Sequence, residues 1–143
     1  MMKTYKHILI ATDFHDHGLQ VIDQAISLQK ENKSKLSIVN VLPKIPYYMS
    51  SGVPSISNLE NQIEENNLIK LKALESKIHC KANYHLLHGS PKREIVKIAQ
   101  KIDADLIVIG SHGRHGVERF IGSTANGVIQ RAHCDVLIVR MKA

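Results

Sequence analysis

The stretch GSHGRHGVERFIGST, residues 110–124, puts four glycines, two histidines and two arginines into fifteen positions directly after an apolar run. Gly110 and Gly113 remove side chains where backbone N–H groups could approach the oxygens of a polyphosphate. A helix beginning after Gly122 would add the positive end of its dipole, and Ser123 and Thr124 would add hydroxyl donors there. The same residues also suit a glycine-rich strand-to-helix turn with a serine N-cap, and on this stretch alone both readings stay open. It is not a Walker A loop, because no Lys-Ser/Thr pair follows Gly122. Nor is it a dinucleotide fingerprint, which has tighter spacing and follows a first strand.

A second group of chemically capable residues follows the first apolar run: Thr12, Asp13, His15, Asp16 and His17. The Asp13 carboxylate is a good acceptor for a ribose diol. Its alternative role is to complement a helix dipole, worth about 0.3–1 kcal/mol. His15 and His17 could face His112 and His115, but neither pair has helical i, i+4 spacing and no cysteine joins them, so we assign no metal site. His112 and His115 fit better as donors to phosphate, the more so below neutral pH, where imidazole is charged. Arg114 is placed as a possible bidentate phosphate ligand and Arg119 as an exposed basic side chain. Hydrolysis would need an oriented water and usually Mg²⁺, which Asp13, Ser123 or Thr124 could help hold. No second carboxylate stands at a strand end to support it, since Asp103 and Asp105 precede their strand. The chain is better equipped to hold a nucleotide than to cleave it, and any turnover should be slow.

These residues need elements to position them. Residues 7–11, 36–41, 105–109 and 136–139 are short, β-branched-rich and nearly continuous apolar runs, the pattern of parallel strands covered on both faces. Residues 82–88 alternate and carry Tyr84, His85 and His88, as an edge strand would. Helical spacing appears in Val21, Ile22, Ala25, Ile26 and Leu28, and in Leu59, Ile63, Leu71, Leu74 and Ile78 behind a capping box of Ser57 and Glu60. It recurs after Ser90 and Pro91, an N-cap and first-turn proline, and in Ala125, Val128, Ile129 and Ala132. Strands alternating with helices predict right-handed crossovers and an α/β fold: one open, mainly parallel five-stranded sheet with helices on both faces. In such a sheet ligands bind beyond the carboxyl ends of the strands, where the strand order reverses. Only residues 42–56, with three prolines and two tyrosines, lack a period. A loop of that length is often functional, as a lid or partner surface.

Composition bounds the rest. A chain of 143 residues fits one domain, 1–143, and a 43% hydrophobic fraction with only 4% aromatics calls for a core of Ile, Leu, Val and Ala. No run approaches the roughly 18 apolar residues of a membrane span, and the N-terminus lacks a signal-peptide cleavage site. Cys80 and Cys134 are too far apart for a zinc knuckle or a disulfide framework, which points to a cytoplasmic protein. The net charge of +6 is scattered over the predicted helices rather than blocked, so no nucleic-acid partner is expected.

Gly110, Gly113, Gly122 and Ser123, a G-x-x-G followed by G-Ser/Thr after a fourth strand, resemble the nucleotide-binding signature of the universal stress protein (UspA-like) family. The resemblance covers essentially the whole chain: ILIATDF is similar to the family's first strand and acidic loop, LSIVNVLP to its second strand, HGSPKREIVKIAQKIDADLIVIGSHG to its third helix and fourth strand, and CDVLIVR to its last strand. Two features depart from the common pattern. The gap from Gly113 to Gly122 holds eight residues rather than nine, and His15-Asp16-His17-Gly18 replaces the serine-rich turn of many members. The short gap and Pro46-Tyr47-Tyr48 resemble a subgroup of small members. The resemblance implies a Rossmann-like protein with its five strands in the order 3-2-1-4-5, binding ATP, or AMP or ADP, with Mg²⁺ a possible companion. In it Asp13, next to Thr12, would bond the ribose and Ala11 would pack near the base. The backbone of Val41 would pair with the adenine edge, while Gly110, His112, Gly113, Arg114, Gly122, Ser123 and Thr124 would surround the phosphates. It further implies a homodimer through the terminal strand, Asp135–Arg140, and a role in stress response as a nucleotide-dependent regulator or protective factor. A slow ATP hydrolase and a nucleotide-free dimeric interaction module are the alternatives.

Overall fold

The structure is a computed structural model and describes residues 3–13, 18–44, 54–111 and 121–141. In chain order its elements are β1 (His7–Ala11), α1 (Gly18–Asn32), β2 (Lys35–Leu42), α2 (Pro54–Lys77), β3 (Asn83–His88), α3 (Pro91–Lys101), β4 (Leu106–Gly110), α4 (Ser123–Arg131) and β5 (Asp135–Val139). The strands form one five-stranded sheet in the order β3-β2-β1-β4-β5. Every pairing is parallel, with Ile10 opposite Ile38 on one side and Val108 on the other. This is the expected architecture.

The apolar runs are continuous because both faces of the central strands are covered. Ile8, Leu9 and Ile10 are wholly buried, yet successive side chains enter different layers. Ile8, Ile10, Leu36, Ile38 and Val108 pack with Val21, Ile22 and Ala25 of α1 and Leu74 of α2. Leu9, Ala11, Val39, Ile107 and Ile109 pack with Ile95, Ile98 and Ala99 of α3 and with Ala125 and Val128 of α4. Each such side chain contributes about 1.5–3 kcal/mol by leaving water, and this two-sided burial holds the central strands between the two helix layers.

Polar groups close the amino end of the sheet. Asp105 accepts from the N–H groups of Lys6 (2.8 Å) and His7 (2.9 Å), aligning the starts of β1 and β4. Lys3 and Tyr5 both donate to Asp135 Oδ2, at 2.8 and 2.9 Å, and tie the chain start to β5. The bond from Lys3, then that from Tyr5, holds the Asp135 carboxyl below its usual range.

Two local expectations are corrected, and a third holds in position without its side-chain bond. α2 begins at Pro54, ahead of the Ser57–Glu60 box, because proline suits the first helical position; the aperiodic stretch is shorter than 42–56 for that reason. Ser90 does occupy the N-cap of α3, but its hydroxyl makes no capping bond; its carbonyl accepts from Arg93 and Glu94 instead. The N-cap of α4 is Gly122, and Ser123 is the first helical residue.

Candidate functional site

Where β1, β2 and β4 end, a cavity of about 310 Å³ opens between them. Its position follows from the topology, since crossovers from β1 and β4 depart to opposite faces and leave a crevice at the reversal of strand order. Ala11, Thr12 and Asp13 line it from β1, Val39, Asn40 and Val41 from β2, and Ile109, Gly110 and Ser111 from β4. The first turn of α4 adds Gly122, Ser123, Thr124 and Ala125. Eight of the expected site residues are thus brought together: Ala11, Thr12, Asp13, Val41, Gly110, Gly122, Ser123 and Thr124. His112, Gly113 and Arg114 lie outside the described residues, as do His15, His17, His115 and Arg119.

Backbone bonds hold the rim. Thr12 N–H donates to the Val39 carbonyl at 3.1 Å, carrying the chain from β1 across the end of β2. α1 starts so close that a Cβ on Gly18 would sit 3.1 Å from Thr12 Oγ1. Asp13, exposed at the mouth, is the one ionisable side chain among the described lining residues.

Ser111, to which the sequence alone gave no role, organises this end of the molecule. It is 5% exposed. Its N–H donates to the Val139 carbonyl (2.9 Å), its carbonyl accepts from Gly122 N–H (2.6 Å) and its hydroxyl accepts from Met141 N–H (3.1 Å). One residue therefore joins the exit of β4, the start of α4 and the tail after β5. Because Gly122 N–H is engaged there, the donors α4 offers the cavity are the N–H groups of Ser123, Thr124 and Ala125. These precede the first intrahelical bond, from Asn126 N–H to the Gly122 carbonyl at 3.0 Å.

Gly110 is required for packing as much as for approach to a ligand. A Cβ there would run into the Met141 sulfur and come within 3.2 Å of Val21 Cγ2. Met141 thus lies across the end of β4 as a wall of the cavity. Asn40 was likewise passed over as strand interior; it is 3% exposed and bonds through Nδ2 to Asn67 Oδ1 of α2 at 2.7 Å. The signal was available, since an amide inside an apolar strand must find a partner.

The arrangement offers an apolar slot between the ends of β1 and β2, a carboxylate at the mouth and converging N–H and hydroxyl donors at the start of a helix. Chemically it suits an amphipathic ligand with a flat apolar part, hydroxyls and an anionic end.

Comparison with known proteins agrees with this geometry. Residues 4–140 match the model of the Universal stress protein family. Universal stress protein A homolog 1 of Coxiella burnetii is 38% identical over 144 residues, covering 96% of this chain and 98% of that protein. Among solved structures, hypothetical protein MJ0577 has a TM-score of 0.84 at 25% identity, with 99% of each chain covered. A universal stress protein in complex with cAMP has a TM-score of 0.65 at 23% identity, with 98% of this chain and 100% of that one covered.

Proposed function

Because this chain belongs to the universal stress protein family, we propose that it binds an adenine nucleotide, ATP or its AMP and ADP relatives, in the cavity at the ends of β1, β2 and β4. One observation carries the reading. Asp13, Val41 and the Ser123-Thr124 helix start, distant in sequence, line the same space of about 310 Å³, which lies within the usual range for a small-molecule site. The cAMP complex of a related fold supports it. Asp13 accepts from the ribose hydroxyls, Ala11 lies by the base with Thr12 beside it, and the backbone of Val41 meets the adenine edge. Gly110 and Gly122 give close approach, and the N–H groups and hydroxyls of Ser123 and Thr124 receive the phosphates. His112, Gly113 and Arg114 complete the anionic end. With a polyphosphate, Asp13 and the two hydroxyls are the groups here that suit Mg²⁺.

In this reading residues 1–143 act as one cytoplasmic universal stress protein domain that responds to stress through nucleotide occupancy. No helix among the described residues is long and apolar enough to cross a membrane. A homodimer through Asp135–Arg140 belongs to the same proposal. β5 is an edge of the sheet, and Val136, Leu137, Ile138 and Val139 are only partly buried in the single chain, an edge that a second copy would cover. Sedimentation equilibrium should return about twice the 16.0 kDa chain mass; a single-chain mass at micromolar protein would remove the dimer.

Calorimetric titration with ATP, ADP and AMP tests the site. Binding should be seen for the native protein and lost in Asp13→Ala and Gly113→Val. Equal affinity in Asp13→Ala would remove the ribose assignment.

A further inference from the structure

We infer that Asn40, held in one orientation by Asn67, reads the exocyclic amine of the base and gives the cavity a preference for 6-aminopurines over 6-oxopurines; this rests on the nucleotide-binding reading above. Asn40 lies in β2 between Val39 and Val41, opposite Leu86 of β3. It is 3% exposed and lines the cavity. Burying an amide in an otherwise apolar strand is costly unless its polar atoms are matched.

The bonding chain fixes which end of the amide faces which way. Asn67 Nδ2 donates to the Ile63 carbonyl one turn back in α2, at 2.8 Å. A carbonyl only accepts, so this end of Asn67 must be its NH₂, and its Oδ1 is the atom that meets Asn40 at 2.7 Å. An oxygen there requires the Asn40 NH₂, and in this proposal the opposite end of the amide, Oδ1, is the atom that meets the base. Reversing the Asn40 amide would set oxygen against oxygen.

An acceptor with fixed orientation discriminates between ligands. The amine of adenine carries two hydrogens, one for the backbone of Val41 and one for Asn40 Oδ1. A 6-oxopurine presents a carbonyl oxygen at the same place, so it loses the bond and meets repulsion as well. Sites built around a required donor reject analogues lacking it more strongly than apolar pockets reject a missing methylene. Asn67 is a positioning residue, because it stands outside the cavity lining and acts through Asn40.

The test compares the dissociation constants of ATP and inosine triphosphate, which differ at the 6-position, for the native protein, Asn40→Leu and Asn67→Ala. The native protein should favour ATP by about tenfold or more, the worth of one well-made hydrogen bond. Asn40→Leu keeps the branching of the side chain and removes its acceptor, and should lower the ratio several-fold, mainly by weakening ATP, with the Val41 backbone setting what remains. Asn67→Ala frees the amide to turn and should also lower the ratio, an effect that a merely structural role would not have because both ligands would weaken together. If Asn40→Leu does not fold, Asn67→Ala carries the test alone. A native ratio near one, or a ratio unchanged in both variants, overturns the assignment of Asn40 while leaving nucleotide binding intact. Failure of the native protein to bind either ligand overturns the binding reading and this inference with it.

Discussion

The main-chain N–H of Met141 donates to Ser111 Oγ at 3.1 Å, while the Met141 side chain lies over Gly110 and lines the cavity. The tail that follows the last strand is thereby part of the cavity wall, although it stands thirty positions from Ser111. Any ligand that fills the cavity must touch a segment continuous with β5, the exposed edge of the sheet.

Ser111→Ala should therefore lower stability by about 1 kcal/mol and raise the Kd for ATP several-fold, because the loss frees Met141 from the cavity wall. Urea unfolding and titration measure the two effects. A stability loss with unchanged affinity would mean that Met141 is not part of the working site.

Gly127→Ala should destabilise the protein despite its helical position, where alanine gains up to about 1 kcal/mol over glycine. A Cβ there would stand 2.7 Å from Lys92 Cβ and 2.6 Å from Lys92 Cδ, where α4 crosses the start of α3. We expect a net loss of about 1–2 kcal/mol by denaturation. Lys92→Ala should not restore it, since the Lys92 Cβ remains, whereas Lys92→Gly should restore part. A stabilised Gly127→Ala would show that the helices move apart freely.

His85 makes stability depend on pH. Its Nε2 is buried without a partner, and burial first, then the charges of His7 and Lys101, lowers its pKa from the ordinary 6.5. The unfolded chain therefore takes up a proton at a pH where the folded chain does not. This contribution to stability is full above 6.5, falls as pH drops through that value and levels off below the lowered folded pKa. Denaturation midpoints from pH 8 to 5 should fall less steeply in His85→Phe than in the native protein. Parallel curves would assign the acid sensitivity to other groups.

His7 should be the Nδ1–H tautomer when neutral. Its Nδ1 lies 3.0 Å from the Ile102 carbonyl, which only accepts, and its Nε2 lies 2.7 Å from Ser37 Oγ, which can donate. Nitrogen chemical shifts of the ring report the tautomer directly. The Nε2–H form would mean that the bond to Ile102 is not made.

The strands and both core layers were legible in the sequence because two-sided burial leaves runs such as residues 8–11 and 106–109 with little room for polar side chains, whereas the strand order came with the family resemblance. The glycine and serine positions of the motif were legible for a similar reason, as close approach and helix starts restrict residue type strongly. Asn40 and Ser111 were not recognised. Their roles depend on partners 27 and 30 positions away, and periodicity says where a residue points but not which polar atom it meets. The Ser57–Glu60 box was a sound local signal that an earlier proline overrode, since Pro54 already satisfies the first helical position.

The most direct test of the central claim is release of the small molecule carried by freshly purified protein, identified by mass spectrometry, together with the melting temperature as ATP is added. The account predicts a co-purified adenine nucleotide. It also predicts a rise of roughly 8–12 °C at a hundred times the Kd, equivalent to about 2.7 kcal/mol, that is absent in Gly113→Val. No released nucleotide and an unchanged melting temperature with ATP, ADP and AMP would contradict it.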